Sequence, residues 1–232
     1  MSLRTLAMAA GLSVAMAAAP ASAAIVLTFE GAGDLANING FYNGGTDSQG
    51  HSGPNLGVEF NANALAVIDA DAGGSGNIAN EPTPNTALFF LTGSAILNYA
   101  AGFTTGFSFF YSSSQPATVN VYDGLNATGN LLGSIDLLAQ FSDNCSGDPT
   151  GQFCNWTAVG VGFAGTAKSI DFGGTVNQVA YDNITFGSER PGTGGEPNPV
   201  PEPATWALML LGFGGMGAAM RRKAKPLRVR YA

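Results

Sequence analysis

Residues 118–137 read Thr118-Val-Asn-Val-Tyr122, then Asp123-Gly-Leu-Asn-Ala-Thr-Gly-Asn130, then Leu131-Leu-Gly-Ser-Ile-Asp-Leu137. The outer segments carry β-branched and apolar side chains at alternating positions, as expected for half-buried strands. The middle segment holds two glycines and two asparagines, residues that favour turns. This stretch therefore predicts a β-hairpin.

The same pattern recurs throughout residues 24–187. Short apolar or β-branched runs are separated by clusters of Gly, Asn, Asp, Ser and Pro, and no stretch keeps a helical period for more than two turns. The runs lie at residues 25–29, 57–60, 64–68, 87–91, 95–99, 103–111, 118–122, 131–138, 156–163, 169–172 and 176–186. About ten strands without helices predict an all-β domain, a two-sheet antiparallel β-sandwich of the jelly-roll type.

The chain begins with a stretch typical of a secretory signal peptide. Residues 1–23 carry Arg4 as their only charge, an apolar core from Leu6 to Ala19, and the small-residue cleavage site Ala21-Ser22-Ala23. The apolar core is too short for a convincing permanent anchor. We expect export and a mature chain that starts near Ala24.

The chain ends with a second apolar segment. Pro201-Glu202-Pro203 precedes Trp206, an apolar glycine-rich run to Met220, and the basic residues Arg221 and Arg222. From 203 to 220 there are 220 − 203 + 1 = 18 residues without charge, which as a helix cover about 27 Å of a hydrocarbon core about 30 Å thick. We predict a transmembrane helix at about 204–220 with a cytoplasmic basic tail at 221–232. Residues 188–200, rich in Pro, Gly and Glu, are predicted to be a flexible linker.

The order of these C-terminal features resembles the PEP-CTERM sorting signal, in the variant with Trp-Ala after the Pro-Glu-Pro triplet. The resemblance implies that residues 201–232 are a sorting segment. It implies export across the inner membrane of a Gram-negative bacterium and recognition by an exosortase-type membrane protease near Pro201-Glu202-Pro203. Release to the cell surface or to an exopolysaccharide matrix would follow. The alternative is a permanently anchored surface protein.

The exported part of the chain and the C-terminal tail differ in net charge. Between residues 24 and 200 only Lys168 and Arg190 are basic, against fifteen acids, so this part carries 2 − 15 = −13. Binding of nucleic acid requires a basic surface, which this composition excludes.

Two cysteines, Cys145 and Cys154, lie in a loop rich in turn-forming residues. In an oxidising compartment such a pair most simply forms one disulfide. A zinc site would need two further ligands, and His51 is the chain's one histidine.

The phrases Val121-Tyr-Asp-Gly124 and Ala180-Tyr-Asp-Asn-Ile-Thr-Phe186 resemble strands of galactose-binding-like and carbohydrate-binding jelly rolls. The resemblance implies a structural calcium ion (Ca2+) where an acid after the first strand meets an acid in the last. Glu30 and Asp182 match these positions, and carboxylates suit calcium. The other interpretation is a solvated loop acid and a hydrogen-bonded strand acid.

Function is predicted from sorting and fold together. We expect a non-enzymatic surface or matrix protein, structural or associated with extracellular polysaccharide. Five aromatic residues are candidates for stacking on sugars or, more simply, for core packing: Phe41, Tyr42, Tyr99, Tyr111 and Trp156. The alternative is a secreted glycan-active hydrolase, since a glycosidase needs two carboxylates and the acids are numerous. No catalytic residue is predicted, and His51 is expected to lie exposed in a loop.

Overall fold

A computed structural model describes residues 24–143, 151–192 and 213. Within residues 24–192 these form nine strands: β1 (Ile25–Leu27), β2 (Val58–Phe60), β3 (Ala64–Ile68), β4 (Thr86–Phe90), β5 (Ala95–Ser113), β6 (Ala117–Tyr122), β7 (Leu131–Leu137), β8 (Thr157–Phe172) and β9 (Val179–Phe186). One 3₁₀ turn, Ala70–Ala72, follows β3. All pairings between these strands are antiparallel. The predicted all-β, antiparallel fold class is confirmed.

The hairpin predicted from residues 118–137 is formed by β6 and β7. Ala117 pairs with Leu137 and Tyr122 with Leu131, and the register shifts between Val121 and Tyr122. Val119, Val121 and Leu137 are buried while Asp136 is exposed. The alternation of the sequence therefore sets which face of the hairpin enters the core.

Two strands are longer than the sequence predicted, because runs that were separate in the pattern join. The predicted strands at 95–99 and 103–111 form β5, and those at 156–163 and 169–172 form β8. Gly102 and Thr105 have positive φ values of 74° and 82°, and the β5–β8 register shifts on either side of Phe103. Such irregularities bend strands without ending them.

The bent pair of strands β5 and β8 belongs to both layers of the sandwich. One layer has the order β3, β4, β9, β5, β8, with β1 beside β9, and uses residues 105–113 of β5. The other layer uses residues 95–99 of β5, which pair with β2 and with the end of β8. The end of β8 in turn pairs with β6, and β6 with β7. Hydrogen bonds thus run continuously through both layers.

Aromatic rings fill the space between the layers. Phe172, at the end of β8, lies with its ring centroid 4.9 Å from Tyr181, 5.9 Å from Phe109 and 6.0 Å from Phe107. All four side chains are fully buried. Such edge-to-face pairs add to the stabilisation from apolar burial.

Candidate functional site

A β-bulge in the last strand positions the predicted calcium ligand Asp182. Asn183 has a φ of 49°, and the β5–β9 register shifts between Ser108 and Phe110 at this point. Asparagine adopts this left-handed conformation more readily than most residues. The extra residue leaves Tyr181 and Ile184 in the core, while Asp182 packs against the loop that precedes β4.

The Asp182 carboxylate is fully buried and accepts hydrogen bonds from two residues, Thr83 and Asn183. Its oxygens accept hydrogen bonds from the Thr83 amide at 3.0 Å, the Thr83 hydroxyl at 2.9 and 3.0 Å, and the Asn183 amide at 2.7 Å. The Thr83 hydroxyl also lies 3.1 Å from Asn183 Oδ1 and 3.4 Å from the Thr28 carbonyl oxygen. Four oxygen-bearing groups from three segments therefore converge here: the Asp182 carboxylate, the Thr83 hydroxyl, the Asn183 side-chain carbonyl and the Thr28 backbone carbonyl.

The same loop holds Glu30, which follows β1. Glu30 Oε1 accepts hydrogen bonds from the Asn85 amide at 3.1 Å and the Thr86 amide at 2.9 Å. The loop from Thr83 to Thr86 thus binds both acids that the sequence singled out. We call Glu30 and Asp182 the acid pair.

Burial dominates the electrostatics of the acid pair. It raises the pKa of Asp182 from 3.8 to about 8; the hydrogen bonds from Thr83 and Asn183 oppose this rise, and the negative charge of Glu30 adds to it. Burial also raises the pKa of the Tyr42 hydroxyl, and the negative charges of Asp182 and Glu30 raise it further. That hydroxyl accepts a 2.6 Å hydrogen bond from the Phe29 amide.

The residues around the acid pair fit a hard cation. Their available atoms are carboxylate, carbonyl, hydroxyl and amide oxygens, the ligands calcium prefers. Asn183 Nδ2 is buried without a hydrogen-bond partner in the described part of the chain, as expected where an amide turns its oxygen towards the cluster. Among the described residues no three His, Cys, Asp or Glu side chains form a metal-binding group. A calcium ion at the acid pair would need neutral oxygens as further ligands.

A second site is a groove beside Tyr99, which we call the Tyr99 groove. Its volume is about 410 Å³. Its lining residues come from four segments, two of which are joined by the β2–β5 pairing: Asn43, Gly57, Glu59, Asn98, Tyr99, Ala100, Ala101, Leu125 and Asn126.

Polar side chains on the wall of the Tyr99 groove hold one another in place. Asn98 Nδ2 donates to Asn126 Oδ1 at 2.9 Å, and the Asn126 amide donates to Asn98 Oδ1 at 2.7 Å. Asn43 Nδ2 donates to Glu59 Oε1 at 2.6 Å. Each pair is exposed, so its remaining donors and acceptors face the groove or solvent.

Tyr99 differs from the other aromatic residues that the sequence singled out. Phe41, Tyr42 and Tyr111 are buried in the core, and the Trp156 ring nitrogen donates to the Ala79 carbonyl oxygen at 2.9 Å. Tyr99 is half-buried, with its ring stacked 5.5 Å from Phe186. The ring is held by the core while it lines the groove.

His51 is ordered by an acid that the sequence analysis missed. The side chain of Asp47 is fully buried, and its Oδ2 lies 2.9 Å from Nδ1 of His51, whose side chain is 51% exposed. The (i, i+4) spacing occurs here in a loop, where no helical pattern would have suggested a contact. Only the turn residues Asp47-Ser-Gln-Gly50 hinted at this geometry.

Several predicted features lie outside the described residues. They are the signal peptide 1–23, Cys145, and the sorting residues Pro201, Glu202, Pro203, Trp206, Arg221 and Arg222. Cys154 is buried, and its pairing with Cys145 stays a prediction. In the described part of the chain, no helix has the length and apolarity needed to cross a bilayer.

Comparison with known proteins identifies the C-terminal segment. The PEP-CTERM protein-sorting motif matches residues 199–223, as the sequence resemblance indicated. This motif implies export and processing at the membrane. No curated protein matches the chain.

Among solved structures, the adhesin domain of Lys-gingipain from Porphyromonas gingivalis W83 is 12% identical, with a TM-score of 0.42, over 71% of this chain and 97% of that chain. The carbohydrate-binding module CsCBM6-3 from Clostridium stercorarium, solved with cellobiose, is 18% identical, with a TM-score of 0.34, over 54% and 82%. A family 43 arabinoxylan arabinofuranohydrolase from Bacillus subtilis is 16% identical, with a TM-score of 0.37, over 54% of this chain. The chain spans 24% of that enzyme's length.

Proposed function

We propose that this protein is an exported, non-catalytic surface or matrix protein that binds neutral extracellular polysaccharide in the Tyr99 groove. The observation that carries the proposal is the combination of a core-held tyrosine with paired asparagines and one carboxylate in an open groove. The sorting motif at residues 199–223 supports an extracellular place of action.

The lining of the Tyr99 groove suits sugar chemistry. Amide and carboxylate groups fixed by neighbours can donate to and accept from sugar hydroxyls without losing much side-chain entropy on binding. The half-buried ring of Tyr99 offers an apolar edge for sugar C–H groups. A ligand in this groove would therefore meet preorganised partners.

Charge favours a neutral polysaccharide over an acidic one. Residues 24–200 carry a net charge of 2 − 15 = −13, and Glu59 adds a negative charge to the groove wall. No lysine or arginine is among the residues that line the groove. Uronic acids or sulfated sugars would be repelled.

The same lining favours binding over hydrolysis. Glycoside hydrolysis needs two carboxylic acids on either side of the scissile bond, about 5–9.5 Å apart. Among the residues that line the Tyr99 groove, Glu59 is the one carboxylic acid. The lining of this groove therefore does not support the hydrolase alternative.

A glycan array of the full-length chain in detergent tests the proposal. We expect binding to neutral glycans, about tenfold weaker binding by Asn98→Ala because one to two hydrogen bonds are lost, and no change for Asn120→Ala. Asn120→Ala is the control because it removes a similar hydrogen-bonded pair: Asn120 Oδ1 accepts a hydrogen bond from the Ser134 hydroxyl between β6 and β7. Absence of glycan binding, or equal losses in both variants, would contradict the proposal, and turnover of bound glycan would overturn the non-catalytic role.

We further infer that the acid pair holds a structural calcium ion. Glu30 and Asp182 would supply the charge, with the Thr28 carbonyl and Asn183 amide oxygens completing the shell. The ion would fix the Thr83–Thr86 loop to the last strand and offset the cost of burying Asp182. It would contribute to stability and take no part in glycan recognition.

The sorting motif also bears on how the chain is processed at the membrane. We infer that an exosortase-type membrane protease of a Gram-negative bacterium cleaves near Pro201-Glu202-Pro203, so that residues 204–232 are absent from the working protein. Intact-mass measurement of protein released from the cell surface tests this. A released species that still carries Arg221 and Arg222 would favour the permanently anchored alternative.

A further inference from the structure

The loop between β6 and β7 supplies one wall of the Tyr99 groove. In the layer that contains these strands, β8 lies between β6 and β5. A loop that leaves β6 therefore has to cross β8 before it reaches Asn98 on β5. The β5–β8 register sets Ser169 of β8 directly opposite Asn98. Residues paired in this way point to the same face of an antiparallel sheet, so Ser169 lies beneath the crossing loop.

The Ser169 side chain is fully buried and holds the loop at two points. Its hydroxyl donates a hydrogen bond to the Gly124 carbonyl oxygen at 2.6 Å and accepts one from the Ala127 amide at 2.9 Å. These two groups lie on either side of Asn126, whose amide and side-chain oxygen both bond to Asn98 in the groove wall. One hydroxyl therefore fixes the backbone on both sides of a residue that lines the groove.

The backbone between these two points has a conformation that needs support. Asn126 and Ala127 have φ values of 56° and 55°, in the left-handed region that is unfavourable for alanine. The ends of the loop are closed separately, because the Asp123 carboxylate accepts hydrogen bonds from the amide and the side chain of Asn130 at 2.7 and 2.8 Å. Ser169 instead anchors the loop to the sheet at its crossing point.

We propose that Ser169 is a positioning residue of the Tyr99 groove, which holds Asn126 where a sugar hydroxyl would meet it. This role rests on the glycan binding proposed above. Ser169 is not among the residues that line the groove, so it acts through the loop and does not touch the ligand. Without the hydroxyl, the loop would have to be ordered when the ligand binds, and this ordering would weaken the affinity.

Titration calorimetry of the full-length chain in detergent, with the best neutral glycan from the array, measures this role in Ser169→Ala. We expect about tenfold weaker affinity and, by NMR, an Ala127 amide that exchanges with solvent at least about tenfold faster. Ser112→Ala is the matched control. Ser112 is equally buried on β5, but its hydroxyl has no hydrogen-bond partner in the described part of the chain, so neither quantity should change.

A double-mutant cycle separates positioning from a general structural effect. Because Ser169 acts through the contact between Asn126 and Asn98, Ser169→Ala should weaken binding little further in a chain that already carries Asn98→Ala. Independent structural losses would add instead.

The measurements distinguish failure of this role from failure of the proposed function. Fully additive losses in the cycle, or unchanged affinity in Ser169→Ala beside a loss in Asn98→Ala, would overturn the role of Ser169 alone. Absence of glycan binding by wild-type protein would overturn the proposed function. If Ser169→Ala does not fold, wild-type protein still tests the contact: its Ala127 amide should be protected, and exchange as fast as in an unfolded peptide would overturn the proposal.

Discussion

The buried carboxylate of Asp182 makes the stability of the calcium-free chain depend on pH. Its pKa in the fold is about 8, against 3.8 for an ordinary aspartate, with burial as the main cause. Between these values the folded chain keeps a proton that the unfolded chain has lost. Folding then takes up a proton, and the free energy of unfolding falls as the pH rises.

The size of this effect follows from the shift in pKa. One proton difference changes the free energy of unfolding by about 1.4 kcal/mol per pH unit. From about pH 5 to pH 8 the calcium-free chain should therefore lose about 4 kcal/mol. Saturating calcium should remove most of this loss, because the cation stabilises the ionised acid pair and offsets the repulsion from Glu30.

Urea denaturation followed by tryptophan fluorescence, with the full-length chain in detergent at several pH values, measures this dependence. Asp182→Asn should flatten the profile, stabilise the calcium-free chain at pH 8 and abolish the response to calcium. Asp136→Asn, at an exposed position, serves as the control. A wild-type profile that is flat or rises from pH 5 to 8 without calcium, or an unchanged slope in Asp182→Asn, would show that Asp182 does not set the pH dependence of stability.

Three further predictions concern the fold. Phe172→Ala should lower the free energy of unfolding by about 3–5 kcal/mol in chemical denaturation, because it opens the ring cluster between the layers; Leu138→Ala, at a position 72% exposed, should cost little, and equal costs would contradict the packing described. Gly160→Val should expose the chain after β9 to a glutamate-specific protease, because a Cβ at 160 would lie 2.1 Å from the Glu189 carbonyl oxygen; unchanged cleavage after Glu189, with Ala158→Val as control, would count against this contact. A reductant should lower stability by about 2–3 kcal/mol if the two cysteines pair, and an unchanged melting temperature would exclude the pairing.

The strand content was predictable because strand periodicity and turn residues are local signals. The hairpin of β6 and β7 carries both within residues 118–137, and its pairing agrees with them. The joining of runs into β5 and β8 was not predictable. Gly102 reads as a break in the sequence, whereas in the fold it bends a strand that continues. Continuity depends on partner strands that are distant along the chain.

The candidate sites were likewise predictable only where the signal is local in the sequence. Glu30 and Asp182 were singled out through the resemblance to carbohydrate-binding jelly rolls, and their role as calcium ligands stays a prediction. Thr83, which binds Asp182 from 99 residues away, left no local signal. The bulge at Asn183 likewise depends on the pairing with β5. Asp47 was missed because its contact with His51 arises from a loop, and loop geometry follows tertiary contacts such as that with Gly33.

The Tyr99 groove shows why a list of aromatic residues was insufficient. Nothing in the sequence separates Tyr99 from Tyr42 or Tyr111, since each of the three is flanked by one polar and one apolar residue. The β2–β5 pairing sets Glu59 opposite Asn98, and the loop with Asn126 closes on them. A groove formed by four segments is visible only after folding.

The proposed function depends on recognition of a neutral glycan by the Tyr99 groove. Titration calorimetry of the full-length chain with the best neutral glycan from the array, and with an acidic glycan of the same length, tests it most directly. We expect measurable affinity for the neutral glycan, about tenfold weaker in Asn98→Ala and unchanged in Asn120→Ala, with no binding of the acidic glycan. Equal affinity of wild-type protein and Asn98→Ala, or preference for the acidic glycan, would contradict the account.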